Sequence, residues 1–472
     1  MKKIFMLCIS LIITLTTMAD RYVSQAGSNT TPYDNWSSAA NSIQTAIDAA
    51  SAGETIWITN NTSYVLSAQI DVNKAVTISN FGNGSKPVID GNGTVRCFYI
   101  HNSGAIVSGL VISNGLNSTS SAGGVYISIG TLQNSTIIDC TAKSSAGVII
   151  NGNATVTNCI ITLNESTGGL FGGVGLLNAG AKLIDCIIDN NECSAERGGG
   201  AGIINGGALI DGCIFKNNTS SAAGGGLAVF SDGSIVRNCE FYNNQGTQGG
   251  GLNMTANGTV SNCTFTGNTG TSEGGAMRLD KGLVANCTMT NNTSGTGGGG
   301  GAMSRGGNSA IIRNCLIAKN DAGNYAGGVI AINANSLILE NCTIADNSYY
   351  GVYDWADDAI YKTNCIVYSN TNNWKRDTQW HASCTTPAVT GLDNITDAPL
   401  FVDSSNQDYS LQSSSTCIDV GITQSWMTTT IDLANNPRLA HGVFGETGPK
   451  IVDMGAYEYN PLPPAGTIIL IE

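Results

Sequence analysis

One short phrase recurs down this chain: an apolar residue, an Asn or Asp, a cysteine, and an Asn five residues beyond the cysteine. It stands complete in Val236-Arg237-Asn238-Cys239-Glu240-Phe241-Tyr242-Asn243-Asn244. The cysteine returns at 159, 186, 213, 239, 263, 287, 315, 342 and 365, and Ser135 and Gly109 hold its slot upstream, at intervals of 23 to 28 residues. Self-similarity at that period specifies a solenoid, whose repeats bury a core only by stacking on one another.

Within each repeat, apolar pieces of four to six residues rich in Val, Ile, Thr and Phe alternate with Gly, Asn, Ser and Asp. This is strand-and-turn punctuation, and no long 3.6-residue apolar period interrupts it. Three strands and three turns per repeat predict an all-β, right-handed parallel β-helix of about 11–13 coils. Side chains alternate along a strand, so Cys263 and Phe265 are expected inside, with Thr264 and Thr266 outside. Gly-Gly corners at Gly226, Gly251, Gly275, Gly301 and Gly328 are expected to supply left-handed backbone or close approach. The terminal asparagines (164, 191, 218, 244, 268, 292, 320, 347 and 370) are expected to form a ladder of amides from coil to coil.

The nine in-phase cysteines are expected as a column of buried thiols rather than disulfides. Stacked strands hold Cβ atoms about 4.8 Å apart, whereas a disulfide needs about 3.8 Å. Zinc is disfavoured because no CxxC or Cys/His pair occurs. Beyond the leader, Cys97, Cys140, Cys193, Cys384 and Cys417 lie off the column, and their pairing stays open.

Lys2, Lys3, the apolar run Ile4 to Leu15 and Thr17-Met18-Ala19 predict a secretory signal peptide over residues 1–19. Loss of its two lysines takes the net charge from −13 to −15. That acidity disfavours nucleic-acid partners, and no later apolar stretch suits a membrane span. An exported protein, extracellular or at the cell surface in association with an outer membrane, and monomeric, is the expectation. Residues 20–74 are expected to form an N-terminal cap, with Ile43, Ala46, Ile47 and Ala50 on one face of a helix. The coils are expected over 75–370, a loop-rich C-terminal cap over 371–460, and a tail over 461–472.

Three sets of residues carry a resemblance to known families. Tyr22-Val23-Ser24, the helix 42–50 and Gly53-Glu54-Thr55-Ile56 resemble the N-terminal cap of pectin-lyase-fold proteins. Gly-Gly-x-apolar paired with Phe-x-x-Asn is similar to the repeats of polymorphic outer-membrane proteins, which are surface adhesins. Cys417-Ile418-Asp419, Asn436-Pro437-Arg438 and Asp453-Met454-Gly455-Ala456-Tyr457-Glu458 resemble the choice-of-anchor Q family of secreted bacterial β-helix proteins. The chain departs from these families in lacking a C-terminal β-barrel pattern and a sorting domain after Tyr459.

The resemblance implies either a surface adhesin or glycan-binding protein without catalysis, or a lyase or hydrolase of acidic polysaccharides. A lyase needs a base and a cation at matched outward positions. The expected outward row after the Gly-Gly corners is Ile204, Ala228, Asn253, Arg278, Ser304 and Ala331. Arg278, Asp280 and Lys281 are the catalytic alternative, Lys281 as base and Arg278 neutralising a uronate, with Arg305 in the core slot of Leu279. Asp354, Asp357 and Asp358 around Trp355 form a possible ligand-binding patch with Tyr349, Tyr350 and Tyr353. Polygalacturonase-like enzymes add Gly-His-Gly and Arg-Ile-Lys motifs, and neither occurs here. His101, His381 and His441 are far apart in sequence. Asp403, Asn406 and Asp408 offer oxygen ligands for calcium, the one cofactor considered. Thr264, Thr266, Thr288 and Thr290 form a small flat threonine face. Binding without catalysis is the preferred reading.

Overall fold

The computed structural model describes residues 19–295, 299–305, 310–332, 337–355, 360–440 and 450–460. It is a right-handed parallel β-helix of about twelve turns. A coil carries four short strands rather than three. In one coil these are Leu227–Val229, Ile235–Arg237, Glu240–Tyr242 and Gln245–Gln248, here called strands of the first to fourth ladders. Each pairs in parallel with its counterpart one coil on. The third ladder stacks 14 strands and the fourth nine. The first two ladders join into one 26-stranded sheet through the long strands Phe98–Ser108 and Val125–Gln133.

The extra strand arises because the corners are tighter than the sequence implied. Only Asn238 and Cys239 separate the second strand from the third, and only Asn243 and Asn244 separate the third from the fourth. Asn238 and Asn243 both take left-handed backbone, each at φ 55°. Asn, Asp and Gly visit that region at least cost, and the first corner repeats it at Asn158, Asp185, Gly212, Asn262, Asn286, Asn314, Asn341 and Asn364. The Gly-Gly corners divide two duties between neighbouring residues. Gly224 is left-handed at φ 70°, whereas a Cβ on Gly225 would lie 2.4 Å from the carbonyl oxygen of Gly250 in the next coil.

Cys263 and Phe265 are fully buried, Thr264 is exposed and Thr266 half-buried. Phe215, Phe241 and Phe265 stack nearly parallel, with centroids 4.8 and 4.6 Å apart, because the ladder dictates their spacing. The cysteine column is also buried and its thiols are free. Each thiol donates to the carbonyl two residues before it, as Cys239 does to Arg237 at 3.0 Å and Cys263 to Ser261 at 3.1 Å.

The asparagine ladder runs unbroken from Asn164 to Asn370. Each Oδ1 accepts both the Nδ2–H and the backbone N–H of the preceding coil's asparagine, at 2.9 to 3.1 Å. Each Nδ2 also donates to a backbone carbonyl of the coil before, as Asn268 does to Phe241 at 2.8 Å. Cys140 occupies the ladder slot one coil upstream, where its N–H donates to Asn164 at 3.0 Å.

The ladders extend past 75–370 at both ends. Thr55–Ile58 pairs with Thr77–Asn80, and Asn372–Trp374 pairs with Tyr350–Asp354. The helix Ile43–Ala49 buries Ile43, Ala46 and Ile47 against the first strands. Ser42 caps its N-terminus, and Lys74 Nζ donates to the carbonyls of Ile47, Asp48 and Ala50 at its other end. At the far end Trp380 and Val389 close the core, and the buried ammonium of Lys362 lies 4.8 Å over the Trp380 ring.

The described residues of 399–440 and 450–460 pack along the outside of the third ladder. There the corner amides of Asn314, Asn341 and Asn364 donate to the carbonyls of Ile431, Asp453 and Ile422 at 2.9 to 3.1 Å. The strap covers Leu316, Ala318 and Ala345 with Tyr409, Phe401, Leu433 and Tyr457. It is pinned internally by Arg438, whose Nη1 lies 2.9 Å from Glu458 with both side chains wholly buried. Asp432 and Asp453 share this one guanidinium. With more carboxylates than cations, burial pushes Asp453 up to about 6 and Glu458 up to about 9.

Three outcomes follow from this packing. Asn268→Ala leaves the Asn244 groups without their acceptor and is expected to cost about 1–3 kcal/mol in chemical denaturation; an unchanged midpoint would show that the amides are replaceable by water. Thiol titration of unfolded, unreduced protein is expected to find at least nine reactive groups, one for each column cysteine. The raised carboxylates bind protons more tightly when folded, so their contribution is present at low pH and lost as pH climbs through about 6 to 9. Unfolding midpoints should therefore fall across that window, and Glu458→Gln should flatten the slope; a midpoint rising with pH would contradict this.

Candidate functional site

Strand register fixes which side chains can meet on the outside of the first ladder. Tyr99, Tyr126, Ile149, Gly175, Gly202, Ala228, Asn253 and Arg278 stand in one row. Met303, Ile330 and Tyr353 continue its register. The row expected from sequence is correct for Ala228, Asn253 and Arg278 and wrong for Ile204, Ser304 and Ala331. Met277 pairs with Ala302 rather than Met303, so counting from the glycines slips by one residue. A one-residue slip exchanges the faces of a strand, and Ala331 is accordingly in the core. Ser304, not Arg305, pairs with Ala331 in the row of Leu279; the Arg305 side chain lies outside the described residues.

A groove of about 560 Å³ opens on this face. Asn253 and Arg278 form its floor. Arg197, Ala223 and Gln248, bridged in register, make one wall, and Phe230 and Thr255 the other. The Arg197 guanidinium reaches to 4.6 Å over the Phe230 ring, a cation–π contact spanning the walls. Asn253 is 2% exposed, and its Oδ1 has no hydrogen-bond donor among the described residues.

Arg278 and Asp280 come together, but on each other. Arg278 Nε and Nη2 donate to the two Asp280 oxygens at 3.2 and 2.9 Å, and Glu273 lies 3.7 Å away. Gln248 accepts a further bond from Nη1. The positive charge is thus matched within the protein. Lys281 is not among the groove-lining residues.

Both ends of the same face carry aromatic clusters. Towards the C-terminus, Tyr325 meets Trp355 at 4.9 Å and Tyr353 at 5.5 Å, while Lys375 Nζ sits 4.3 Å over the Tyr353 ring. Trp355 is 45% exposed, but Asp354 turns inward, 1% exposed, and accepts the Ile360 N–H at 3.1 Å. Asp354 continues the core row of Ala331, so it leaves the surface patch expected for it. Asp357 and Asp358 lie outside the described residues.

The second cluster had no signal in the repeat, because it precedes the cysteine phrase. His101 Nε2 lies 2.6 Å from Asp71 Oδ1, and its ring stacks on Tyr99 at 4.4 Å. Tyr126 meets Tyr99 edge-on at 5.6 Å and carries Arg96 at 5.2 Å over its ring. Burial lowers the Arg96 guanidinium below its ordinary value. Only the pairing of Asp71 with Tyr99 and of Tyr99 with Tyr126 reveals this grouping.

The oxygens expected for calcium are engaged in a turn. Asp403 caps the short 3-10 helix Ser404–Asn406, accepting from Asn406 N at 3.2 Å and Asn406 Nδ2 at 2.7 Å. The Ser405 hydroxyl and Asn406 amides hold the Asp403 carboxyl below its usual range. Asp408 accepts instead from Ser410. Among the described residues no group of three His, Cys, Asp or Glu is placed to hold a metal ion. Strap residues Ile431, Leu433 and Tyr457 line a hollow with Thr264 and Thr288, so the threonine face is flanked rather than open.

The family described as right handed beta helix region matches residues 147–295 and 274–377. No curated protein matches the chain. Among solved structures, pectate lyase Pel9A is 15% identical, with 94% of this chain and 98% of that one covered and a TM-score of 0.34. An alginate lyase from Paenibacillus sp. str. FPU-7 is 14% identical, covering 68% and 94%, with a TM-score of 0.28. The fold assignment rests on the family match and on the ladders themselves. No helix among the described residues is long and apolar enough to cross a membrane.

Proposed function

We propose that this is an exported, surface-exposed glycan-binding β-helix that acts without catalysis, its ligand seated in the groove over Asn253 and Arg278. The carrying observation is the groove itself: a concave floor with a buried acceptor lacking a donor, beside an aromatic ring. Sugars offer hydroxyl donors and apolar ring faces, which suit Asn253 and Phe230 respectively.

The charge arrangement favours a neutral glycan over an acidic one. Arg278 is paired with Asp280 at 2.9 Å and lies 3.7 Å from Glu273, and the chain as a whole carries −13. Long-range repulsion therefore opposes a polyanion. β-Elimination needs a base near the sugar carbon and a cation free to meet the uronate. Arg278 is committed to Asp280, and Lys281 stands outside the groove lining, which supports binding rather than cleavage.

A glycan array probed with the mature protein tests this directly. Binding to neutral glycans is expected, weakened about tenfold or more by Phe230→Ala or Asn253→Ala, a loss of about 1.4 kcal/mol or more, and unaffected by Lys281→Ala. In parallel, pectate, alginate and chondroitin are incubated with and without calcium. Unsaturated products or new reducing ends that disappear in Lys281→Ala would replace this reading with a lyase or hydrolase.

A further inference from the structure

The strap is fastened to the coils at a point where two cysteines meet, and the parity of the strands separates these two from the column. Cys384 pairs in register with Ile366, an outward position of the third ladder. The inward slot of that coil belongs to Ser383, whose hydroxyl accepts the Cys365 N–H at 3.1 Å. Cys384 is nevertheless fully buried, because Leu411, Cys417 and Met454 of the strap pack over it beside Ile366 and Ala382. Cys417 is equally buried, held by its own N–H on Ser415 Oγ at 3.2 Å and by Met454 N–H on its carbonyl at 3.0 Å. The Cys384 thiol donates to the Asp397 carbonyl at 3.2 Å, and its contact with Cys417, with burial, holds its proton far more tightly than an ordinary thiol does.

We propose that Cys384 and Cys417 form a disulfide that locks the strap onto the last coil. Column cysteines are kept at strand spacing by ladder hydrogen bonds on both sides, with side chains projecting in parallel. Cys384 and Cys417 are buried in one apolar cluster but belong to segments that share no ladder, so no ladder hydrogen bonds hold this pair at strand spacing. A disulfide draws its Cβ atoms to about 3.8 Å, which the column cysteines cannot reach without breaking their ladders. The bond closes a loop of 417 − 384 = 33 residues, which contains the hairpin Phe401–Asp403 with Asp408–Leu411.

Formation is a two-electron exchange with a small-molecule disulfide such as oxidised glutathione. Each thiol loses its proton, one S–S bond forms between Cys384 and Cys417, and the oxidant's S–S bond breaks to give two thiols. Because both sulfurs are covered once docked, exchange takes place while the strap settles, and the finished bond is shielded from reductant. Cys193 has no cysteine among the groups acting on it and donates to the Gly169 and Leu170 carbonyls at 3.2 and 3.5 Å.

The test uses the full chain refolded with oxidised and reduced glutathione. Free thiols are alkylated in denaturant without reduction, and the digest is mapped by mass spectrometry. One cross-linked peptide pair joining Cys384 to Cys417 is expected, with every column cysteine alkylated. Alkylation of both Cys384 and Cys417, or linkage of either to another cysteine, would overturn the proposal. Limited proteolysis supplies a second readout. Reduction should speed cleavage within 399–460 at least severalfold, and Cys417→Ser should cleave at that faster rate with or without reductant. Cleavage equally slow in oxidised and reduced wild type would show that the bond does not hold the strap.

Discussion

The asparagine ladder is the constraint on which the rest depends. A coil of about two dozen residues must turn four corners, and each corner exposes backbone donors and acceptors towards a core that has no water. One side chain per coil answers this by accepting two N–H groups from the coil before and donating to two oxygens. Because each amide bonds to identical amides above and below, the spacing of coils is set by hydrogen-bond length. The phenylalanine stack, the thiol column and the glycine corners all inherit that spacing.

A rigid solenoid spine turns function into a question of register. Outward side chains of successive coils stand in straight rows, so a groove, a charge pair or an aromatic cluster appears wherever the rows change composition. On the first ladder the row passes from tyrosines, through glycine and alanine, to asparagine and arginine, and back to an aromatic group at Tyr353. The groove opens where the row reaches Asn253 and Arg278. Arg278 shows how such a row differs from a list of charged residues: its field is consumed by Asp280 and Glu273, neither of which shares its row.

The strap imposes a second order on the coils. It accepts bonds from the corner amides of Asn314, Asn341 and Asn364, of which Asn314 and Asn364 also bond to the amide one coil before, as Asn262 does to Asn238, and it converts outward positions such as Leu316, Ala345 and Cys384 into buried ones. Its own cohesion comes from Arg438 among carboxylates and from an apolar cluster around Met454. Burial of more acid than base makes this region sensitive to proton concentration in a way the amide-bonded coils are not.

The sequence alone determined the coil period, the inward cysteine and phenylalanine columns, the amide ladder and the capping helix, because each depends on local alternation or on residues repeated at one interval. It also placed Ala228, Asn253 and Arg278 on one face. What it left to the tertiary structure is whatever depends on pairing between coils of unequal length. The slip at Met303, the inward turn of Asp354, and the meeting of Asp71, Tyr99, His101 and Tyr126 were invisible because no repeat interval links them. The fourth ladder was hidden because asparagines counted as phrase members were in fact left-handed corner residues. Above all, the placement of the described residues of 399–440 and 450–460 had no periodic signal: their place along the side of the coils was decided by which outward side chains offered apolar cover and amide donors, and that is a property of the folded surface rather than of any segment of sequence.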